Sequence, residues 1–418
     1  MEAFALVSLL GAGLAVRRAK RSRGALVARF LTVLAALQIA ISMGVYVALD
    51  TAGLERLRPA FWGLQALTLL YLSSAVLPGM RKTWQWMLLA WPAHWFVAGT
   101  FLALPWALSA LTPWTLPAVW LPYALAGAGL LRSVVTLRET VDIDLRDGSP
   151  VLARRPQRAL SLVQRRFGFR PRAAPSRLRV VQITDPHIGP FQSVERLRRT
   201  CERAVAAAPD LIVLTGDYLT VPSQDSADHL ALALAPLRGH PHVYACMGNH
   251  DLETPELVRE ALQRAGVRLL EDEAVTVQTS AGLVQVLGLA WRWRNRETAM
   301  TRALKGTPRP TDDAGRPAFR LVLLHDPSAF QLCPDGSADL VLSGHTHGGQ
   351  VGFVSLGVHW TALSLAGMPD EGPWALGRNR LYVHRGNGFY GFPLRVGVPG
   401  EESVLDLMLP GSIEPADA

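Results

Sequence analysis

Two histidines separated by one residue stand near the end of the chain, where an apolar run passes into a glycine-bounded segment. Residues 340–350 read LVLSGHTHGGQ, which places His345 and His347 directly after a strand-like run. Such a pair is typical either of an ordinary polar loop or of a metal site, since imidazole is a common metal ligand. The choice depends on whether the rest of the chain supplies further ligands.

Four other strand-like runs end in the same kinds of side chain. VVQIT is followed by DPH, LIVLT by GD, VYACM by GNHD, and LVLL by a histidine. With GHTH, these ends supply Asp185, His187, Asp217, Asn249, His250, Asp251, His325, His345 and His347. A single Asp or His after a strand is usually a turn or capping residue. Five such ends together indicate a metal site, because crowded carboxylates and imidazoles need compensating cations.

The ordered set DPH, GD, GNHD, H and GHTH resembles the calcineurin-like metallophosphoesterase superfamily, over residues 178–409. GHTHGGQV, LLHDPSAF and YVHRGNGFYGFPLRV are similar to its membrane-associated branch. That branch includes bacterial phosphodiesterases acting at membranes and pyrophosphatases that cleave UDP-2,3-diacylglucosamine in lipid A synthesis. The resemblance implies a layered α/β/β/α domain, a mixed β-sheet sandwich flanked by helices. One departure is Thr220, where the family often has the last Asp of GDxxD, a position that is not a metal ligand.

The resemblance also implies two divalent metal ions with one shared carboxylate. The implied ligands are Asp185, His187, Asp217 and His347 for one ion and Asp217, Asn249, His325 and His345 for the other. Oxygen and imidazole ligands without thiolate favour Mn²⁺, Fe or Zn²⁺, and we expect Mn²⁺. A hydroxide between two such ions is a good nucleophile for in-line attack on a phosphate ester.

The same resemblance implies roles for His250 and Asp251, and residue chemistry suggests further contacts. His250 is expected to stabilise or protonate the leaving oxygen, with Asp251 orienting its ring. Arg385 and Arg395 are candidates for phosphate contact, since guanidinium suits bidentate phosphate binding. WRWR at 291–294 is either a lipid or nucleotide contact or an edge strand.

The elements that carry these residues begin near residue 178, where short β-rich runs alternate with helical patterns. This alternation predicts a layered α/β domain over 178–410, with a tail at 411–418. Its strand ends hold the polar residues, as expected for the site of an open α/β sheet.

The N-terminal third has a different composition. Residues 30–49, 59–80 and 83–131 contain no charged side chain, and a bilayer core takes about 20 apolar residues per helix. Residues 1–132 are therefore predicted to be an all-α transmembrane region of four spans, with a fifth, at 3–16, left open. The alternative is a large buried helical core. Basic residues at 17–23 and after the last span predict a multi-pass protein of the inner (plasma) membrane whose catalytic domain is cytoplasmic.

A basic segment joins the two regions. Residues 133–177 are predicted to be a juxtamembrane linker, and nine arginines without any acidic residue lie between 154 and 179. After membrane spans, such a run is expected to lie on an anionic leaflet. No other feature indicates nucleic acid, and oligomeric state is not predicted.

The predicted function is a membrane-anchored dimetal phosphoesterase that hydrolyses a phosphodiester or pyrophosphate bond in a lipid- or nucleotide-linked substrate such as UDP-2,3-diacylglucosamine. One alternative is a phosphatase of phosphoproteins or soluble phosphoesters that is merely tethered to the membrane. Others are a non-catalytic scaffold and a transporter with a regulatory hydrolase domain. The spans lack charged residues, which are the usual mark of a transport path, and every ligand position is filled.

Overall fold

The computed structural model describes residues 2–80, 82–172, 174, 176–389 and 394–410. They form two compact units. The helical unit comprises described residues up to 134, with 221–225 and 394–396. The α/β unit comprises described residues of 135–220, 226–389 and 397–410. The predicted tail at 411–418 lies outside the described residues.

The helical unit is built from apolar helices. They are α1 (Glu2–Arg23), α2 (Ala25–Thr51), α3 (Arg58–Ala75), α4 (Thr83–Gln85), α5 (Trp91–Leu102), α6 (Leu104–Ser109) and α7 (Leu121–Ser133). A π-helical turn, Trp86–Ala90, joins α4 to α5. The predicted helical N-terminal region is therefore present. The basic residues 17–23, expected in a loop, form the last turns of α1, because the helix continues to Arg23 before Gly24 interrupts it.

Among the described residues, α2 is the one helix that is long and apolar enough to cross a membrane, by length and composition. The stretch 83–131, expected to hold two spans, is divided among several shorter helices. Four or five spans therefore stay a prediction.

The α/β unit contains two seven-stranded sheets. The strands are β1 (Thr136–Asp144), β2 (Gln157–Arg158), β3 (Val163–Phe167), β4 (Leu178–Ile183), β5 (Leu211–Leu214), β6 (Val243–Ala245), β7 (Arg268–Leu269), β8 (Glu273–Thr279), β9 (Gly282–Gly288), β10 (Phe319–Leu323), β11 (Leu340–Ser343), β12 (Gly372–Leu376), β13 (Asn379–Val383) and β14 (Gly400–Met408). The helices are α8 (Val194–Ala206), α9 (Asp228–Leu234), α10 (Pro255–Arg264) and α11 (Arg296–Gly306).

The order in the first sheet is β3-β1-β14-β4-β5-β6-β7, and in the second β2-β12-β13-β11-β10-β9-β8. Strands β4 to β7 are parallel, as are β9, β10, β11 and β13, while β14 pairs with β4 in the antiparallel sense. Apolar residues on both faces of β5 and β11 explain their central positions, because a strand covered on both sides reads as a continuous apolar run.

The main core lies between the two sheets. It combines Val213 of the first sheet with Leu321 and Leu342 of the second. A second core packs Leu304 of α11 against Val322 on the outer face of the second sheet. The predicted mixed α/β fold with two sheets is confirmed.

The predicted linker at 133–177 is wrong for most of its length. Strand β1 lies inside the first sheet between β3 and β14, and β2 extends the second sheet. The sequence of β1, TLRETVDID, has the charge of a surface segment, but Glu139 and Asp142 are buried. Their charges are compensated by arginines from the rest of the segment, so a strand that looks polar can occupy the sheet.

The arginines of this segment are largely engaged inside the unit. Six of the nine form ion pairs with its carboxylates: Arg158, Arg165, Arg166, Arg172, Arg177 and Arg179. A run of basic residues in sequence is therefore not one basic surface in space. The prediction of contact with a leaflet therefore applies only to the exposed arginines of the segment.

Candidate metal centre

Five loops at the ends of neighbouring strands carry the predicted ligands. Three follow β4, β5 and β6 of the first sheet, and two follow β10 and β11 of the second. Within each sheet these strands are parallel, so their carboxyl ends meet at one edge. The loops bring seven side chains to that edge: Asp185, His187, Asp217, Asn249, His325, His345 and His347.

The backbone is strained at five of these residues. Asp185, His187, Asp217, His345 and His347 have φ angles of 51°, 45°, 57°, 69° and 51°. Left-handed backbone at residues other than glycine costs of order 1–3 kcal/mol each and clusters at functional sites. The strain indicates that the orientation of these side chains towards the site costs stability.

Two glycines are required for the same loops to come together. A Cβ on Gly248 would lie 2.1 Å from Asp217 Oδ1, and a Cβ on Gly344 would lie 2.0 Å from Asp185 Oδ2. Each glycine thus allows a neighbouring loop to approach a carboxylate more closely than any side chain would permit.

The first group of ligand atoms comes from Asp185, His187 and His347, whose donor atoms all lie within 4.8 Å of one another. Asp185 Oδ1 is 3.6 Å from His347 Nε2 and 4.0 Å from His187 Nε2. The two imidazole rings are stacked, with centroids 5.1 Å apart. All three residues are buried, so the group is a preformed cluster that could hold a metal ion.

The second group comes from Asp217, His325 and His345, again with donor atoms within 4.8 Å of one another. His325 Nε2 lies 3.2 Å from both Asp217 Oδ2 and His345 Nδ1. The other nitrogen of His325, Nδ1, is 2.6 Å from the Thr215 carbonyl oxygen, which fixes the ring. An imidazole held in this way is typical of a metal ligand with an orienting partner.

Asp217 connects the two groups. Its Oδ2 is 3.2 Å from His325 Nε2 and 3.6 Å from His187 Nε2, so one carboxylate oxygen faces both clusters. Its Oδ1 accepts a hydrogen bond from the His250 backbone N–H. This is the position that the shared carboxylate of a two-metal site needs.

Asn249 supplies an independent test of fit. Its Oδ1 is buried, and no partner for it occurs in the part of the chain that the structure describes. The residue lies between Gly248, which packs on Asp217, and His250, which donates to Asp217. A buried amide oxygen without a donor costs free energy unless something else binds it, and a divalent cation would do so.

Burial and mutual repulsion keep several of these groups in the form that binds metal. Burial lowers the pKa of His187 to about 3 and that of His345 to about 4. Although burial raises it, the pKa of Asp217 is held well below its ordinary value by His325 and His187. Against the effect of burial, Asp217 raises the pKa of His325 to about 10. Asp217 and His325 thus stabilise each other's charged forms.

His250 lies beside the first group, with its ring centroid 5.5 Å from that of His187. Its Nδ1 is 3.3 Å from Glu253 Oε1, and against the effect of burial this carboxylate raises the pKa of His250. Such a half-buried imidazole can hold a proton near the ligands, as a general acid must.

The predicted role of Asp251 is wrong. Its two carboxylate oxygens accept hydrogen bonds from the backbone N–H groups of Asp217, Tyr218 and Gly248. A carboxylate anchored by three amides ties the GD and GNHD loops together, while the acidic partner of the His250 ring is Glu253. Glu253 stands three residues after His250, and this spacing is the sequence signal that could have identified it as the partner of the ring.

The two arginines predicted to contact phosphate have partners of their own in the structure. Arg385 is buried in an ion-pair cluster with Arg165 and the carboxylates of Glu139, Glu371 and Glu401. Its guanidinium is 2.7 Å from Glu139 Oε1, and its Nε donates to the Pro399 carbonyl. Phosphate would have to compete with these carboxylates. Arg395 belongs to the helical unit, where its N–H donates to Ser133 Oγ.

Trp291 was not predicted as a centre residue, although the WRWR motif drew attention to it. Its ring centroid lies 5.7 Å from those of both His325 and His345. The Arg296 guanidinium lies 4.5 Å from the same indole and pairs with Asp326. Trp293 packs edge-on against Trp291 and is 75% exposed. The second group of ligands is therefore bordered by an aromatic surface that is open to solvent.

Comparison with known proteins agrees with this geometry. Residues 178–349 match the family model described as calcineurin-like phosphoesterase. The chain is 29% identical over 257 residues to phosphodiesterase YaeI of Escherichia coli K12, covering 59% of this chain and 88% of that protein. It is also 29% identical over 234 residues to the uncharacterized metallophosphoesterase YkuE of Bacillus subtilis 168, covering 55% of this chain and 78% of that protein.

A bovine protein also matches. The transmembrane protein with metallophosphoesterase domain of Bos taurus is 26% identical over 253 residues, which covers 55% of this chain and 53% of that protein.

Proposed function

Because the chain contains a calcineurin-like phosphoesterase domain, we propose that it is a membrane-anchored dimetal enzyme that hydrolyses a phosphodiester or pyrophosphate bond in a lipid-linked substrate. The observation that supports this most is the placement of one Asp217 oxygen between two groups of buried ligands. A structural role does not explain it, because the same arrangement without cations leaves crowded donors uncompensated.

The two ligand groups would hold the two ions, Mn²⁺ by our proposal, with Asp217 facing both and Asn249 completing the second group. Two such ions supply Lewis-acid stabilisation of charge on the phosphoryl oxygens and lower the pKa of a bound water. The chain itself supplies the rest: His250 donates a proton to the leaving oxygen, and Glu253 holds that proton on the ring.

The substrate class follows from the surroundings of the centre. Trp291 and Trp293 offer an aromatic surface beside the second ligand group, onto which a planar base could stack. The apolar helix α2 supports a bilayer location, and we extend this to a multi-pass anchor in the inner membrane with the α/β unit on the cytoplasmic side. Together these features favour a nucleotide-linked lipid, and UDP-2,3-diacylglucosamine is the specific substrate we propose.

The test is hydrolysis of UDP-2,3-diacylglucosamine by the detergent-solubilised full-length chain with Mn²⁺, followed by detection of UMP and acylated sugar phosphate. Asp217→Ala is the control for contaminating hydrolases, and Trp293→Ala tests the stacking surface without touching a ligand. We expect UMP from the wild type and none from Asp217→Ala, and we expect a raised KM for Trp293→Ala.

A different outcome would select the alternative function. One such outcome is cleavage of bis-nitrophenyl phosphate but not of the lipid nucleotide, with an activity that does not depend on detergent or acyl chain length. The chain would then be a membrane-tethered phosphatase or phosphodiesterase of soluble phosphoesters. If neither compound is cleaved under any divalent metal, the enzyme proposal fails.

A further inference from the structure

A second surface of the α/β unit lies next to the GHTH loop. Residues 351–366, VGFVSLGVHWTALSLA, contain no Asp, Glu, Lys or Arg, and we call this segment the apolar loop. It begins four residues after His347. An uncharged stretch of this length outside the α-helices and strands of a sheet domain needs an explanation.

The loop exposes its large apolar side chains instead of burying them. These side chains are Phe353 at 51%, Leu356 at 76%, Val358 at 52%, Trp360 at 37% and Leu365 at 80% exposed. Scattered exposed apolar residues are ordinary, but five within thirteen residues of one loop indicate a binding surface.

The exposure is maintained by the backbone. Phe353 N–H donates to the Trp360 carbonyl and Trp360 N–H to the Val358 carbonyl, which closes residues 353–360 into a compact turn. The Phe353 and Trp360 rings stack with centroids 5.3 Å apart. Gly357 sits at φ 76°, where a side chain would be strained. The loop is thus built to present its apolar side chains outwards.

The base of the loop is tied to the metal centre. A Cβ on Gly349 would lie 2.7 Å from Thr361 Oγ1, so the GHTHGG segment packs directly on the loop. Thr361 Oγ1 donates to Asp370 Oδ2, and Thr346, between the two metal-ligand histidines, donates to the Asp370 carbonyl. A partner that binds the apolar loop would therefore also stabilise the edge of the ligand site.

Positive charge lies at the side of the loop. Arg155 and Arg154 are exposed, and a nitrogen of Arg155 lies 3.9 Å from the position that a Cβ on Gly367 would take. These are members of the basic segment that are not among its six ion-paired arginines. Aromatic and aliphatic side chains with arginines beside them are the combination that binds the headgroup region of an anionic bilayer.

We propose that the apolar loop inserts into the headgroup and upper acyl region of an anionic leaflet, with Arg154 and Arg155 on the phosphates. The occupant of this surface is lipid, because the loop has both the exposed apolar side chains and the flanking positive charge that a bilayer interface selects. If the proposed function also holds, the loop brings a lipid-held phosphate to the metal centre while its acyl chains stay in the bilayer.

The test measures depth in the bilayer for the full chain reconstituted into nanodiscs containing phosphatidylglycerol. Cys201, Cys246 and Cys333 are buried, so a fluorophore such as NBD labels an introduced cysteine preferentially. Leu356→Cys and Leu365→Cys report on the loop, and Leu232→Cys in α9, 57% exposed in the native chain, is the matched control.

We expect NBD at 356 and 365 to shift its emission to the blue and to be quenched at least about twofold more by doxyl-labelled lipid than NBD at 232. Equal, weak quenching at all three positions would overturn the proposal. The measurement needs no catalytic activity, so its result is separate from that of the proposed function.

A second pair of variants tests the consequence for catalysis. Leu356→Ser with Leu365→Ser, and separately Arg154→Gln with Arg155→Gln, should raise KM for the lipid nucleotide severalfold in anionic vesicles. Cleavage of bis-nitrophenyl phosphate should stay unchanged, which also shows that the variants fold. Equal effects on both compounds would mean that the loop supports the centre and does not bind lipid.

Discussion

Two buried groups of charged residues in the α/β unit balance the charge of their carboxylates in different ways. In the ion-pair cluster, the carboxylates of Glu139, Glu371 and Glu401 meet the guanidinium groups of Arg165 and Arg385. In the metal centre, each group of ligand atoms combines one aspartate with two histidines. The first cluster supplies two guanidinium groups of its own, whereas in the second the His325 imidazole, whose pKa Asp217 raises, lies beside two carboxylates.

The electrostatic consequences of this difference are visible in the pKa values. Although burial raises it, the pKa of Glu371 falls to about 2 because His359, Arg165 and Arg385 stabilise its charge. In the metal centre, burial raises the pKa of Asp185 to about 6 and lowers that of His187 to about 3. In the ion-pair cluster, charge compensation by the protein favours stability. In the metal centre, the lack of such compensation leaves a site that can bind ions.

The largest expected effect comes from Asp217→Asn. The change keeps the size of the side chain but weakens the shared ligand, so metal-dependent hydrolysis of bis-nitrophenyl phosphate should fall by at least about a thousandfold, a loss of about 4 kcal/mol of transition-state stabilisation. Because the amide oxygen can still accept the hydrogen bond from the His250 N–H, the thermal midpoint without metal should change little. Retention of more than a tenth of the activity would contradict a bridging role.

Arg385→Met tests the other cluster. Removing one partner of a buried ion network leaves an uncompensated charge, which costs about 3–5 kcal/mol. We expect a correspondingly lower denaturant midpoint of the α/β unit, followed by tryptophan fluorescence in detergent. Metal content per folded chain should not change. Loss of metal with an unchanged denaturant midpoint would place Arg385 in the metal centre instead.

The pH dependence of stability sharpens the same comparison. The pKa of Glu371 is below its usual value of 4.5, so its contribution is complete above pH 4.5 and is lost as the pH falls towards about 2. This difference corresponds to about 3 kcal/mol at most. Glu371→Gln should therefore be less stable than wild type at pH 7 and should lose less further stability between pH 4.5 and 2. Parallel acid-unfolding curves for the two proteins would refute this.

The smallest effect concerns the partner of His250. Glu253→Gln removes the carboxylate beside the ring, and we expect kcat to fall about three- to tenfold with KM unchanged, since one charge-assisted contact contributes about 1 kcal/mol. Glu256→Gln, three residues further on at the start of α10 and exposed, is the matched control and should be neutral. An equal response of both variants would mean that Glu253 acts only through surface charge.

The sequence predicted the metal centre better than its surroundings. The ligands follow apolar strands in a recognisable order, so their convergence could be inferred without coordinates. The partners of Asp251 and Arg385 could not, because they are backbone amides and carboxylates from distant segments. Strand β1 was missed for the same reason. Its buried Glu139 and Asp142 resemble surface residues in the sequence, because their arginine partners become evident only in the structure.

The most direct test of the account is the metal content of the purified full-length chain after dialysis against Mn²⁺, measured by inductively coupled plasma mass spectrometry. We expect two ions per chain for the wild type and for Arg385→Met, and one for His325→Ala, which loses a ligand of the second group only. A single ion in the wild type, or two in His325→Ala, would contradict a centre of two ligand groups joined by Asp217.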